Sequence, residues 1–129
     1  MAVHHRAAPT VLLVEDSDDT RLLLRSFLES KGYSVIEAAD GREGVEAARH
    51  HHPDLVVMDL NLPALDGLSA TEQILGCETD YGKTPVIAVT AHDTYGIREA
   101  AFEAGCCEYL TKPLDFELMG RTISLILGA

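Results

Sequence analysis

The sequence predicts a doubly wound α/β domain, (βα) repeated five times, on three observations. Short apolar runs alternate with longer stretches whose apolar residues recur at helical spacing. The runs LLV, LVVM and VIAV are apolar without alternation, as strands covered on both faces of a parallel sheet must be. Acids, a hydroxyl and a lysine stand at or just beyond the carboxyl ends of the runs, where such sheets bind ligands.

The elements follow in order. Thr10 to Val14 is the first strand, and Leu23, Leu24, Phe27 and Leu28 share a face of the first helix, which stops at Gly32 in a left-handed turn. Tyr33 to Ile36 is the second strand. The second helix, Arg42 to Arg49, opens on a capping box made by Asp40 and Glu43. Leu55 to Met58 is the third strand; Leu65, Leu68, Ile74 and Leu75 mark the third helix. Pro85 to Val89 is the fourth strand, followed by the Ala-rich helix Ile97 to Ala104 and the stop at Gly105. This fourth helix, with Gly96 near its start and mostly alanines inside, is expected to be the most mobile. Glu108 to Leu110 is the fifth strand, and Met119, Thr122, Ile123 and Ile126 line the fifth helix.

Strands separated by helices run parallel, with right-handed crossovers that place helices on both faces. The expected order is flavodoxin-like, 2-1-3-4-5, which sets the first and third strands side by side.

Length and composition bound the function. At 129 residues the chain is expected to be one domain, with residues 1–9 as a flexible extension. Hydrophobic residues at 47% and charged residues at 24% are ordinary globular proportions and exclude a disordered or fibrous chain. No apolar run is as long as a membrane span, and MAVHHRAAP lacks the apolar core of a secretory signal, so a cytoplasmic location with no membrane association is expected. A formal charge of −11 without a basic stripe argues against nucleic-acid binding. Cys77, Cys106 and Cys107 fit neither a disulfide framework nor a metal knuckle and are expected to be reduced packing residues. His50, His51 and His52 point in different directions around a helix end, where chelation wants i, i+4 spacing; their charge suits the helix dipole instead.

Asp59 raises the sharpest question. A carboxylate closing a buried strand either reaches the exposed end or has partners. With the first and third strands adjacent, Glu15 and Asp16 of the run EDSDD converge on it. Three carboxylates in one cleft need a cation, and an all-oxygen cluster favours Mg²⁺ over zinc. Thr90 follows the fourth strand, and Lys112, one of three lysines, follows the fifth and supplies a compact counter-charge. Pro113 makes the Lys112-Pro113 linkage a candidate cis bond.

The motifs EDSDD, VVMDLNLPALDGL, VIAVTAH and YLTKP resemble, in order and spacing, the receiver domain of two-component response regulators, from about Thr10 to about Leu127. TAH, AG and YLTKP look most like receivers attached to hybrid histidine kinases. The resemblance implies that Asp59 is a phosphoacceptor taking its phosphoryl group from a histidine of a sensor kinase or histidine phosphotransfer protein. It implies Mg²⁺, with Mn²⁺ as a substitute, held by Asp16, Asp59 and the backbone carbonyl of Asn61, and by Glu15 through a water. Thr90 would bind a phosphoryl oxygen. Tyr109 would turn inward on phosphorylation, altering the face of the fourth helix, fifth strand and fifth helix for a downstream protein.

Asn61 and His92, two residues beyond Asp59 and Thr90, would tune the phosphoryl lifetime. Such a protein is a switch that catalyses only its own phosphorylation and dephosphorylation, as a monomer or a phosphorylation-dependent dimer. Cys106 and Cys107 stand where small or polar residues are common in the family. Two other classes fit less well. An aspartyl-phosphate phosphatase needs an acid where Asn61 stands, and an FMN binder needs a phosphate loop that EDSDD would repel.

Overall fold

The computed structural model describes residues 8–62, 65–76, 84–91 and 94–128. Their order is β1 (Thr10–Val14), α1 (Asp18–Ser30), β2 (Ser34–Ala38), α2 (Gly41–His51), β3 (Leu55–Asp59), α3 (Gly67–Gly76), β4 (Val86–Thr90), α4 (Ile97–Ala104), β5 (Glu108–Thr111) and α5 (Phe116–Leu127). The five strands form one parallel sheet in the order β2-β1-β3-β4-β5, as the alternation of elements predicts.

Alternate residues of each strand feed two cores. Leu12, Val14, Val56, Met58, Val86 and Ala88 join Val45, Ala70, Ile74 and Ala101 on the side of α2, α3 and α4. Val11, Leu13, Leu55, Val57, Ile87 and Val89 join Leu24, Leu28, Met119 and Ile123 on the side of α1 and α5. This period of two explains the unbroken apolar runs, since each face of the sheet has its own helices to bury against.

Most caps follow the sequence. Asp40 accepts the Glu43 backbone N–H at 2.8 Å, while the Glu43 carboxylate reaches one residue further back than a standard box, to the N–H of Ala39 at 2.8 Å. Gly32 and Gly105 take φ of 92° and 111°, which L side chains rarely adopt.

Several boundaries differ from the sequence expectation. β2 begins at Ser34 because the Tyr33 N–H still donates to Leu28 O, closing α1, and the register with β1 then runs to Ala38. Leu23 is 61% exposed, since the inner stripe of α1 passes through Leu24, Phe27 and Leu28. Leu65 lies before α3 and packs on the α2–α4 core from the loop. Cys106 is a packing residue, its thiol pushed up to about 11 by burial. Cys107 is not: its N–H is held by Val86 O at 2.9 Å and its side chain is exposed. Cys77 and residues 1–7 of the expected extension lie outside the described residues. Among the described residues no helix is long and apolar enough to cross a membrane.

Candidate functional site

The register builds the site. Val14 pairs with Met58 and Val11 with Leu55, so the residues that follow β1 emerge beside the last residue of β3. Asp59 and Thr90 each close their strand as its final residue. Asp59 is 4% exposed and Glu15 is 2% exposed, whereas Asp16 faces solvent. Ligand oxygens of Glu15, Asp16 and Asp59 all lie within 4.8 Å of one another, the one such group of possible metal ligands among the described residues.

Two buried carboxylates at this spacing repel each other unless positive charge or N–H donors reach them. Lys112 Nζ is 2.7 Å from Glu15 Oε1 and 3.3 Å from Asp59 Oδ2. The second oxygen of each acid is also held: Asp59 Oδ1 accepts the Asn61 N–H at 2.9 Å, and Glu15 Oε2 accepts the Ser17 N–H at 3.2 Å. Burial disfavours the Lys112 ammonium, but its hydrogen bond to Glu15 and the charges of Asp59 and Glu15 outweigh that, and its pKa is raised. The Lys112 N–H donates to Thr90 O at 2.8 Å, and the Lys112-Pro113 peptide bond is cis, as its X-Pro sequence allows.

One lysine leaves three carboxylates with excess negative charge. The donors are all oxygen, and among the described residues no cysteine or histidine joins them, a set that fits a hard divalent cation such as Mg²⁺.

Residues 11–124 match the family model described as the response regulator receiver domain. The chain belongs to the response regulator receiver family. The receiver is 38% identical over 119 residues to the polar-differentiation response regulator DivK of Brucella ovis, covering 92% of this chain and 96% of that protein. It is also similar to the receiver domain of sensor histidine kinase PA1611 from Pseudomonas aeruginosa, a structure with magnesium coordinated in the active site cleft. That likeness has a TM-score of 0.86 and 36% identity, covering 95% of this chain and 100% of that one. Chemotaxis protein CheY4 of Vibrio cholerae gives a TM-score of 0.86 at 28% identity, covering 94% and 100%. The resemblance to kinase-attached receivers is thus matched by an equal likeness to a protein described as a response regulator.

Other positions of the receiver depart from, or add to, the sequence reading. Thr90 is 1% exposed, and its Oγ1 accepts a hydrogen bond from Asn61 Nδ2 at 3.0 Å, a contact between residues that spacing alone does not link. Tyr109 sits inward in this structure. Its ring is already buried in the cluster that holds the small residues Ala88 and Ala101, which leave room for it, and the Arg98 guanidinium lies 5.7 Å from the ring centroid. His92 lies outside the described residues. His50, His51 and His52 are exposed at the end of α2, and His52 takes φ of 45° as its cap.

The sequence reading also missed two supports. Arg21 Nη1 donates to Glu15 O at 2.8 Å while Nη2 meets Asp18 Oδ1 at 2.6 Å, steadying the loop that carries Glu15 and Asp16. A Cβ at Gly67 would stand 2.3 Å from Asp59 O and 2.6 Å from Leu60 Cα, so the start of α3 packs directly on the backbone of the acidic residue. The only signal for it was the Asp-Gly pair in ALDGL, which reads equally well as a helix start.

Proposed function

We propose that this receiver accepts a phosphoryl group on Asp59 from the phosphohistidine of a sensor histidine kinase or histidine phosphotransfer protein. The observation that carries this reading is the Lys112 ammonium shared between Glu15 and Asp59 at the mouth of an all-oxygen cluster. A buried carboxylate held on both oxygens is oriented, and its charge is partly balanced ahead of a phosphoryl group that is itself anionic.

In the transfer, an Asp59 carboxylate oxygen forms the new O–P bond as the N–P bond of the donor histidine breaks. The bonding pair returns to the imidazole ring. Lys112 stands where it can follow a phosphoryl oxygen as charge shifts, and the Thr90 hydroxyl closes β4 where it can donate to another. Asp16, Asp59 and the Asn61 backbone carbonyl would hold Mg²⁺, or Mn²⁺ in its place, with Glu15 acting through a water. The cation supplies charge neutralisation to the phosphoryl oxygens. Water in the cleft reverses the modification at a rate that Asn61 and His92 tune.

The chain acts as a switch, catalysing only its own phosphorylation and dephosphorylation. The added charge of about −1.5 to −2 biases Thr90, Tyr109 and the face made by α4, β5 and α5 toward a form that docks a downstream protein, as a monomer or phosphorylation-dependent dimer in the cytoplasm. An FMN site fares worse, because the exposed Asp16, Asp18 and Asp19 crowd the loop where a ligand phosphate would sit.

Intact mass after incubation with a small acyl phosphate tests the reading. A gain of one phosphoryl group that needs Mg²⁺ and disappears in Asp59→Asn is expected. Equal gain in Asp59→Asn would reject Asp59 as the acceptor.

A further inference from the structure

Asn61 holds both ends of the switch at once. Its backbone N–H donates to Asp59 Oδ1 at 2.9 Å, which ties residue 61 to the acidic residue at the end of β3. Its side-chain Nδ2 donates to Thr90 Oγ1 at 3.0 Å, at the end of β4. An amide nitrogen only donates, so the Thr90 oxygen is the acceptor here and its own proton must point to a different oxygen. Thr90 is 1% exposed, so water is poorly placed to take over if the amide is removed.

We propose that the Asn61 side chain is a positioning residue that fixes the Thr90 rotamer and orients its hydroxyl so that the proton is available to a phosphoryl oxygen on Asp59. The proposal rests on the phosphoacceptor reading above. The single amide thereby links the state of Asp59 to the switch hydroxyl before any phosphoryl group arrives. Threonine at the end of a strand otherwise has more than one χ1 well open to it.

The test reads Thr90 directly in the unphosphorylated, metal-free protein, with its γ-methyl labelled and the three-bond couplings that report χ1 measured by NMR. The native chain is expected to show one rotamer. Asn61→Ala should raise the population of a second rotamer by roughly threefold to tenfold, the weight of one neutral hydrogen bond. Asn61→Asp should restore a single rotamer, because the introduced carboxylate accepts from the hydroxyl. That reverses the bond, and the Thr90 methyl shift on phosphorylation should then be reduced relative to the native chain.

Unchanged couplings in Asn61→Ala would overturn the proposal, and so would a full native phosphorylation shift in Asn61→Asp. The coupling arm needs no phosphoryl group. Failure of the native chain to gain mass would therefore reject the phosphoacceptor reading while the Asn61→Ala couplings still decide the positioning.

Discussion

α4 and α5 flank the same strand, β5, and are built in opposite ways. α5 spans 12 residues, opens on the Asp115 carboxylate accepting the Leu118 N–H at 3.1 Å, and buries Met119 and Ile123. α4 spans 8 residues, opens on Gly96 with no side-chain cap, and fully buries only Ala101. Large buried side chains lock a helix in place, while small ones leave it little to lose by moving. The pair therefore gives β5 one fixed wall and one wall that can shift, with Tyr109 buried and the Arg98 of α4 lying against its ring.

The comparison breaks most visibly on stability. Met119→Ala is expected to cost about 2–5 kcal/mol by urea unfolding, because Met119 is fully buried. Ala101→Gly should cost about 1 kcal/mol, chiefly as helix propensity. Similar losses for the two would mean that α4 is anchored as firmly as α5. Hydrogen exchange sharpens the point with a smaller effect: amides of α4 should exchange roughly tenfold faster than those of α5, a difference of about 1.4 kcal/mol in opening. Equal protection would remove the asymmetry.

The smallest effect concerns Lys112, just beyond the strand both helices share, whose ammonium is partly exposed. Its folded pKa is raised above the ordinary 10.5 by the Glu15 hydrogen bond and the Asp59 and Glu15 charges, against the opposing effect of burial. Its stabilisation is then complete below that ordinary value and is lost as pH rises through the folded value. The urea midpoint should fall as pH rises above about 10.5 in the native chain and fall less in Lys112→Met. An identical decline in both would show that Lys112 carries no such linkage.

The sheet and the acidic cleft were legible because both depend on local signals. Unbroken runs such as LVVM announce strands buried on two faces, and a carboxylate at the end of such a run demands partners. Given parallel order, Glu15, Asp16, Asp59 and Lys112 could only meet at one edge. What the sequence concealed depends on distant side chains choosing each other. Nothing in the spacing of Asn61 and Thr90 signals a 3.0 Å hydrogen bond, and nothing in ALDGL signals that Gly67 lies against Asp59 O. Leu23 was misplaced for a smaller reason. Four leucines and phenylalanines in a row of six positions admit two neighbouring stripes, and packing chose the one through Leu24 and Leu28.

The ends of the sheet carry one more consequence. β2 and β5 are its two outer strands, and each is short and bears an acid, Glu37 on one and Glu108 on the other. Glu37 is further engaged by Arg25 Nη1 at 2.6 Å and Arg21 Nε at 3.5 Å. Brief, charged borders of this kind are poor templates for a stray strand from another molecule. The same ion pairs that flank the β1–α1 loop thus help keep a strongly apolar sheet with two open edges from growing into an aggregate.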